Sequence, residues 1–287
     1  IWLSPFYPSP MADGGYDVML IEKESELGGM AKRLTKTIEG ADVQTYLSDL
    51  VRKVTDHPRV QVLTRTLVVG FSGFQGNFTT EVLVGPGMYE RKIEHGVVIL
   101  ATGAKEYAPK EYLYGENNAV ATQVELAERL SQQGADGLNT VVMIQCVGSR
   151  NEDNPNCSRI CCQSAVKNAL TIKRRNPDAQ VFILYRDIRT YGLLEDYYTE
   201  ARKLGVLFFR FDPEDPPTAE IAGDGVAVTF RDHVLGRHLQ VTADLLALSA
   251  GMVAEDTEEL ASIVKLARTA EGHFMEAHVK LRPVDFA

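Results

Sequence analysis

Two stretches of this chain, GVVILATGA at 96–104 and DLLALSAG at 244–251, follow one pattern: an apolar run that ends in small residues. A run with no polar alternation belongs to a strand buried on both faces, as in a parallel sheet. Small residues at its end let the backbone approach a ligand at the carboxyl edge of that sheet. What precedes each stretch also repeats. In the first half, an apolar strand (Tyr16–Ile21) leads to a helix over Asp42–Asp56, with Val43, Tyr46, Leu47, Leu50, Val51 and Val54 at helical spacing. A strand (Val60–Leu63) and an antiparallel meander over Leu67–Ile93 follow, with turns at Gly73, Gly76 and Gly85-Pro86-Gly87, and then a strand over Val97–Leu100.

In the second half, after a helix near Gln123–Gln133, come a strand (Thr140–Gln145), a helix (Cys162–Arg174) and a strand (Gln180–Tyr185). A helix (Leu193–Lys203), a strand (Val206–Arg210), a meander over Ala219–Val241 and the closing apolar run complete the unit. The pattern predicts an α/β chain of two dinucleotide-binding-like domains, each with a parallel sheet and an antiparallel meander.

All four cysteines, Cys146, Cys157, Cys161 and Cys162, fall in the single stretch VVMIQCVGSRNEDNPNCSRICC. Their spacing, C-x10-C-x3-C-C, lies between a buried-looking strand and the start of an amphipathic helix. Four thiols gathered there point to one bound object. An iron–sulfur cluster takes four thiolates at its corners. Zinc is the competitor, although its structural sites usually come as two short C-x2-4-C knuckles, which are lacking here. A redox pair of Cys161 and Cys162 is the third reading. The helix that starts at these two cysteines would favour thiolates through its free amides and dipole, with Arg150 and Arg159 flanking them.

In the first domain, Glu22 ends the apolar strand, and an acidic residue at such a place accepts hydrogen bonds from a ribose. Glu22 with Lys23, the glycines Gly28 and Gly29 of the following loop, and the turn Ala101, Thr102 and Gly103 are the candidate cofactor-binding residues. No GxGxxG precedes Glu22. The net charge of −9 argues against nucleic acid or an anionic membrane surface as the main partner. No apolar run of about 18 residues or secretory leader is visible, so the expected setting is cytoplasmic and reducing, where clustered cysteines more often bind metal than form disulfides. The six histidines are dispersed and show no ligand spacing.

The order of elements resembles the flavoproteins of the thioredoxin-reductase type. The stretches GGYDVMLIEKESELGGMAKRL, IEHGVVILATGA, the cysteine segment continuing into CCQSAVKNAL, VFILYRDIRTYGLLEDYY and EAHVKLRPVDFA are similar to the A-type subunits of heterodisulfide reductase. That resemblance implies FAD in the first domain and a 4Fe–4S cluster on Cys146, Cys157, Cys161 and Cys162. It further implies electrons passing between the two, and the other members of an electron-transfer complex as partners. By the same resemblance residues 16–118 with 265–287 form a partial FAD-binding domain, and 119–264 a second nucleotide-binding-like domain that carries the cysteines. Family members carry a glycine-rich strand–helix before the position of Tyr16, which puts FAD retention in question. Residues 1–15 look foreign: IWLSPFYPSPMADGGYDV resembles a segment of α-amylase-type glycoside hydrolases, with none of that family's catalytic carboxylate motifs after it. Arg186, Asp187 and Arg189 of YRDIRTYG fall where nicotinamide-binding domains hold the cofactor's ribose or phosphate. The cysteine loop fills the usual phosphate turn, so this domain is expected to have exchanged nicotinamide for a cluster.

Overall fold

The computed structural model describes residues 8–286. Most of the WLSPFYP run lies outside them. In chain order the elements are α1 (Pro8–Asp13), β1 (Val18–Ile21), α2 (Val43–Thr55), β2 (Val60–Leu63), β3 (Thr66–Phe74), β4 (Asn77–Val84), β5 (Tyr89–His95) and β6 (Ala104–Glu106). Next come β7 (Val120–Thr122), α3 (Gln123–Gln133), β8 (Thr140–Val147), α4 (Cys161–Arg175), β9 (Gln180–Tyr185), α5 (Glu195–Lys203) and β10 (Leu207–Arg210). A meander of β11 (Thr218–Ala222), β12 (Gly225–Asp232) and β13 (Arg237–Ala243) precedes β14 (Leu245–Ala250) and β15 (Met252–Ala254). The chain ends in α6 (Glu258–Val264), β16 (Glu276–His278) and β17 (Arg282–Phe286). It divides into two units, 1–32 with 43–105 and 253–287, and 33–42 with 106–252.

The second unit is built on a five-stranded parallel sheet in the order β10-β9-β8-β14-β7. Its central strands are apolar along most of their length because both faces are covered. On one face Val141, Met143, Leu245 and Ala247 pack under α3, α4 and α5, against Leu126, Val166, Leu170 and Ala201. On the other face Val142, Ile144, Leu246 and Leu248 meet Val226, Val228 and Phe230 of the meander. The Asp244 carboxylate accepts the amides of Asn139 (2.9 Å) and Thr140 (2.7 Å), which fixes the start of β14 beside that of β8. Thr122 and Glu125 close a capping box on α3. From β8 the chain steps outward to β9 and β10, whereas β14 and β7 lie on the other side. The carboxyl ends of β8 and β14 therefore flank the topological switch point, where α/β sheets bind their ligands.

The first unit holds a two-stranded parallel sheet, β1 with β2, and the antiparallel meander β3-β4-β5. Leu20, Ile21, Val54, Leu63, Val82 and Ile93 form its core. One expected element is missing: Val97–Leu100 forms no strand, and Val97 is 64% exposed. An apolar run becomes a strand only through a ladder, and this segment has no paired neighbour among the described residues. Val98 and Ile99 nonetheless pack against the core of the first unit.

Candidate metal centre

Three pieces of backbone, the end of β8, the loop after it and the start of α4, place the four cysteines at the switch-point crevice. Cys146 stands near the end of β8 with φ at +65°, where β8 carries one more residue than β14 between paired positions. Gly148, two residues on, also has a positive φ, and a Cβ there would lie 2.1 Å from the Tyr107 ring, so only glycine fits. Cys157 sits in the loop, its sulfur accepting the Arg159 amide at 3.4 Å. Cys161 and Cys162 open α4. The Cys161 thiol donates to the Ala250 carbonyl (3.4 Å) at the end of β14, and the Cys162 thiol to the Asp187 carbonyl (3.8 Å).

All four sulfurs lie near enough to sense one another. Burial pushes the Cys161 thiol up to about 12, with the charges of Cys162, Cys146 and Cys157 adding to it. Burial raises Cys162 to about 11 and raises Cys146 as well, against the pull of Arg150. The expected thiolate-favouring effect of the α4 N-terminus is thus outweighed by loss of solvent. Without a bound ion Cys146, Cys161 and Cys162 are held neutral by burial, the last two with their thiols turned to backbone carbonyls. Accordingly, no three cysteine, histidine or carboxylate side chains among the described residues stand together as a ready-made metal site. All four cysteines are free.

A second loop closes over the first. The Arg150 guanidinium grips Asp187 with both ends (2.5 and 3.2 Å) and reaches the Cys146 sulfur at 3.9 Å. Arg189 takes the same carboxylate at 3.2 and 3.3 Å, and Arg186 donates to the Arg150 carbonyl at 2.7 Å. Burial alone would raise the Asp187 carboxyl, but the bonds from Arg189 and Arg150 win and hold it below its ordinary value. The segment that falls where nicotinamide-binding domains hold the ribose therefore uses Asp187 to tie down the cysteine loop. Ser158 adds a further tie, accepting the Met252 amide at 2.7 Å. Arg150 and Ser158 lie 36 to 94 residues from these partners in sequence, where periodicity gives no sign of them. A polar residue within a mostly apolar strand is the visible signal for one more: Gln145, buried with neither amide atom bonded, as is the Ser249 hydroxyl near the end of β14.

The donor set fits a cluster in its chemistry: four soft thiols in one crevice, an arginine on one sulfur and two orphaned polar groups at the end of the sheet. In the first unit the fit to FAD is partial. Glu22 ends β1 half-buried; burial raises its carboxyl, while one oxygen accepts the Glu24 amide at 2.8 Å. Lys23 is exposed, and Gly28 and Gly29 turn the chain with positive φ. Ala101, Thr102 and Gly103 follow the unpaired segment, with Gly103 at φ +75°. These suit the ribose side of a dinucleotide.

The fold is that of two-domain flavoprotein reductases of the thioredoxin-reductase type. It matches thioredoxin reductase from T. acidophilum with a TM-score of 0.60 at 14% identity, over 99% of this chain and 86% of that one. It also matches the HOCl-induced flavoprotein disulfide reductase from Escherichia coli, with a TM-score of 0.54 at 15% identity, over 95% and 59%. By sequence the chain is a relative of the A-type subunits of heterodisulfide reductase. It is 30% identical to the A-type iron–sulfur subunit of CoB–CoM heterodisulfide reductase from Methanocaldococcus jannaschii, over 96% of this chain and 56% of that protein. Against the A-type subunit of the H2:CoB-CoM heterodisulfide,ferredoxin reductase from Methanothermobacter thermautotrophicus identity is 37%, over 68% and 32%. The chain spans about half the length of the curated relatives it matches. The alignment to the first of these runs to 373 positions, longer than the chain's 287, so that relative carries extra segments inside the matched span. No family model matches. No described helix is long and apolar enough to cross a membrane.

Proposed function

We propose that the chain is an electron-transfer oxidoreductase subunit of the heterodisulfide-reductase type, working with the other members of a complex. In this reading Cys146, Cys157, Cys161 and Cys162 hold a 4Fe–4S cluster, and the first unit holds FAD with its ribose at Glu22. When bound, a flavin exchanges electrons in pairs and a cluster singly, which joins hydride chemistry to one-electron transport. The chain's own contribution is placement. The Arg150–Asp187–Arg189 lock fixes the cysteine loop, and Arg150 presents positive charge to a sulfur. The observation that carries this reading is the position of four thiols at the switch-point crevice, in a chain related to proteins named as iron–sulfur subunits. Thiolate coordination would release the protons now directed at Ala250 and Asp187 and free both sulfurs to turn.

Iron, sulfide, zinc and flavin counts on one anaerobic preparation test it. About four iron and four sulfide per chain are expected, falling in Cys157→Ser. Zinc alone, or no metal, would sink the cluster reading, and a chain without flavin would remove FAD from it. A dithiol mechanism on Cys161 and Cys162 is disfavoured by the same burial, since thiols raised this far are poor nucleophiles near neutral pH. Micromolar binding of NADH or NADPH would contradict the exchange of nicotinamide for a cluster in the second unit.

A further inference from the structure

Among the described residues of the second unit, four side chains bury an unpartnered polar atom, but Gln123 and Arg186 are bonded through their other atoms, whereas Gln145 and Ser249 have no partner at all. Gln145 is 2% exposed and neither its amide nitrogen nor its oxygen has a partner; Ser249, 1% exposed, has none for its hydroxyl. An unpaired buried amide is costly, and interiors avoid it unless something else makes use of it. In the strand TVVMIQCV an aliphatic residue would fill the same space without that cost.

Position shows what the two have in common. Along β8 and β14, Val141, Met143, Leu245 and Ala247 enter the core beneath α4, and the residues between them enter the opposite core. Continuing that alternation puts Gln145 and Ser249 on the α4 side, at the last rung of the sheet. There β14 advances two residues, Leu248 to Ala250, while β8 advances three, Ile144 to Val147. Cys146 lies in that bulge with its positive φ. Cysteines adjoin both positions. Cys146 follows Gln145, the Ala250 carbonyl beyond Ser249 takes the Cys161 thiol, and Cys161 and Cys162 begin the helix above.

We propose that Gln145 and Ser249 are positioning residues that donate hydrogen bonds from amide and hydroxyl to the sulfurs of the cluster. This rests on the cluster reading above. A reduced cluster carries one more negative charge, spread over its sulfurs, so such donors favour the reduced form and raise the potential. An amide does this without adding net charge to the crevice.

The test uses the full chain, reconstituted anaerobically with iron and sulfide, as wild type, Gln145→Met and Ser249→Ala. Three readings are taken: iron and sulfide content, the midpoint potential from an EPR-monitored titration, and Tm of the metal-free protein. Gln145→Met is expected to shift the potential to more negative values, with a smaller shift of the same sign in Ser249→Ala. Metal-free Gln145→Met is expected to melt higher than wild type, because methionine fills the space without an orphaned amide. A glutamine kept only for packing would lower that Tm and leave the potential unmoved. Folded Gln145→Met that no longer retains iron also supports the assignment. A cluster-loaded Gln145→Met with unchanged potential overturns it while the cluster reading stands. Wild-type protein that takes up no iron and sulfide overturns both. Should Gln145→Met fail to fold, Ser249→Ala, which removes one oxygen, decides on the potential alone.

Discussion

DLLALSAG and GVVILATGA share a pattern and have different fates. The first becomes β14, buried along its whole length and hydrogen-bonded between β8 and β7. The second forms no strand: its first valine faces solvent, and Val98 and Ile99 rest against a core without a ladder. Equal apolarity did not produce equal structure. Flanking strands made the difference, since backbone amides need partners that apolar side chains cannot provide. Truncation should expose this most strongly. Leu246→Ala opens a cavity in a closed interior and should cost about 2–5 kcal/mol, whereas Ile99→Ala, at a half-covered site, should cost about 1 kcal/mol. Urea denaturation of both variants measures the gap, and equal losses would show that the unpaired segment is as well held as β14.

The glycines that end the two repeats sharpen the contrast. Gly251 has ordinary backbone angles, but a Cβ there would stand 2.9 Å from the Ser149 side chain and 3.2 Å from the Gly148 carbonyl, inside the cysteine loop. Gly103 has φ +75° and open space around it. Gly251→Ala should therefore cost about 1–3 kcal/mol through crowding and speed maleimide labelling of the cysteines. Gly103→Ala should cost only backbone strain, about 1 kcal/mol, with labelling unchanged. One letter serves close approach in one unit and a left-handed turn in the other.

Two carboxylates that follow corresponding strands diverge in the same way. Glu22 after β1 is raised by burial and meets only amides of its own loop, whereas Asp187 after β9 is held low between Arg189 and Arg150. Asp187 is partly exposed, so solvent screens its pairs, and Asp187→Asn should cost about 1 kcal/mol while quickening cysteine labelling severalfold. Glu22→Gln should change stability by less than about 0.5 kcal/mol. Labelling that stays slow in Asp187→Asn would mean that the lock does not order the cysteine loop.

These pairs also show how far the sequence could be read. The repeat, the parallel strands of the second unit and the gathering of the cysteines were legible because they rest on local periodicity and spacing. The helix from Cys161 and the strand Gln180–Tyr185 appear almost where the pattern puts them. The fate of Val97–Leu100 was not legible, because it depends on neighbours rather than on its own letters. Nor was the role of Asp187: its partner Arg150 is 37 residues away, and an Arg-Asp-Ile-Arg run after a strand reads equally well as a nucleotide clamp. The thiols were expected to be acidified by the helix; depth of burial, which has no local signature, reverses that.

The smallest expected effect concerns what holds the unladdered segment in place. His95, at the end of β5, bonds the Thr80 hydroxyl at 2.7 Å through Nε2 and the Val97 carbonyl at 3.1 Å through Nδ1, so a side chain anchors backbone that no strand pairs. Donation to Val97 makes Nδ1 the protonated nitrogen of the neutral ring, with Nε2 accepting from Thr80. Burial lowers the pKa below its ordinary 6.5, and the bond to Val97 only partly opposes this. As pH falls, the unfolded chain takes up the proton before the folded one, so this stabilisation is full above about pH 6.5 and is lost as pH drops through the folded value. Amide exchange in β4 and β5 should therefore quicken between pH 7 and 5, after correction for intrinsic rates, while β12 and β13 of the other meander keep their protection. His95→Gln, which retains a donor for Val97, should flatten that dependence. An unchanged slope in His95→Gln would place the sensitivity elsewhere in the first unit.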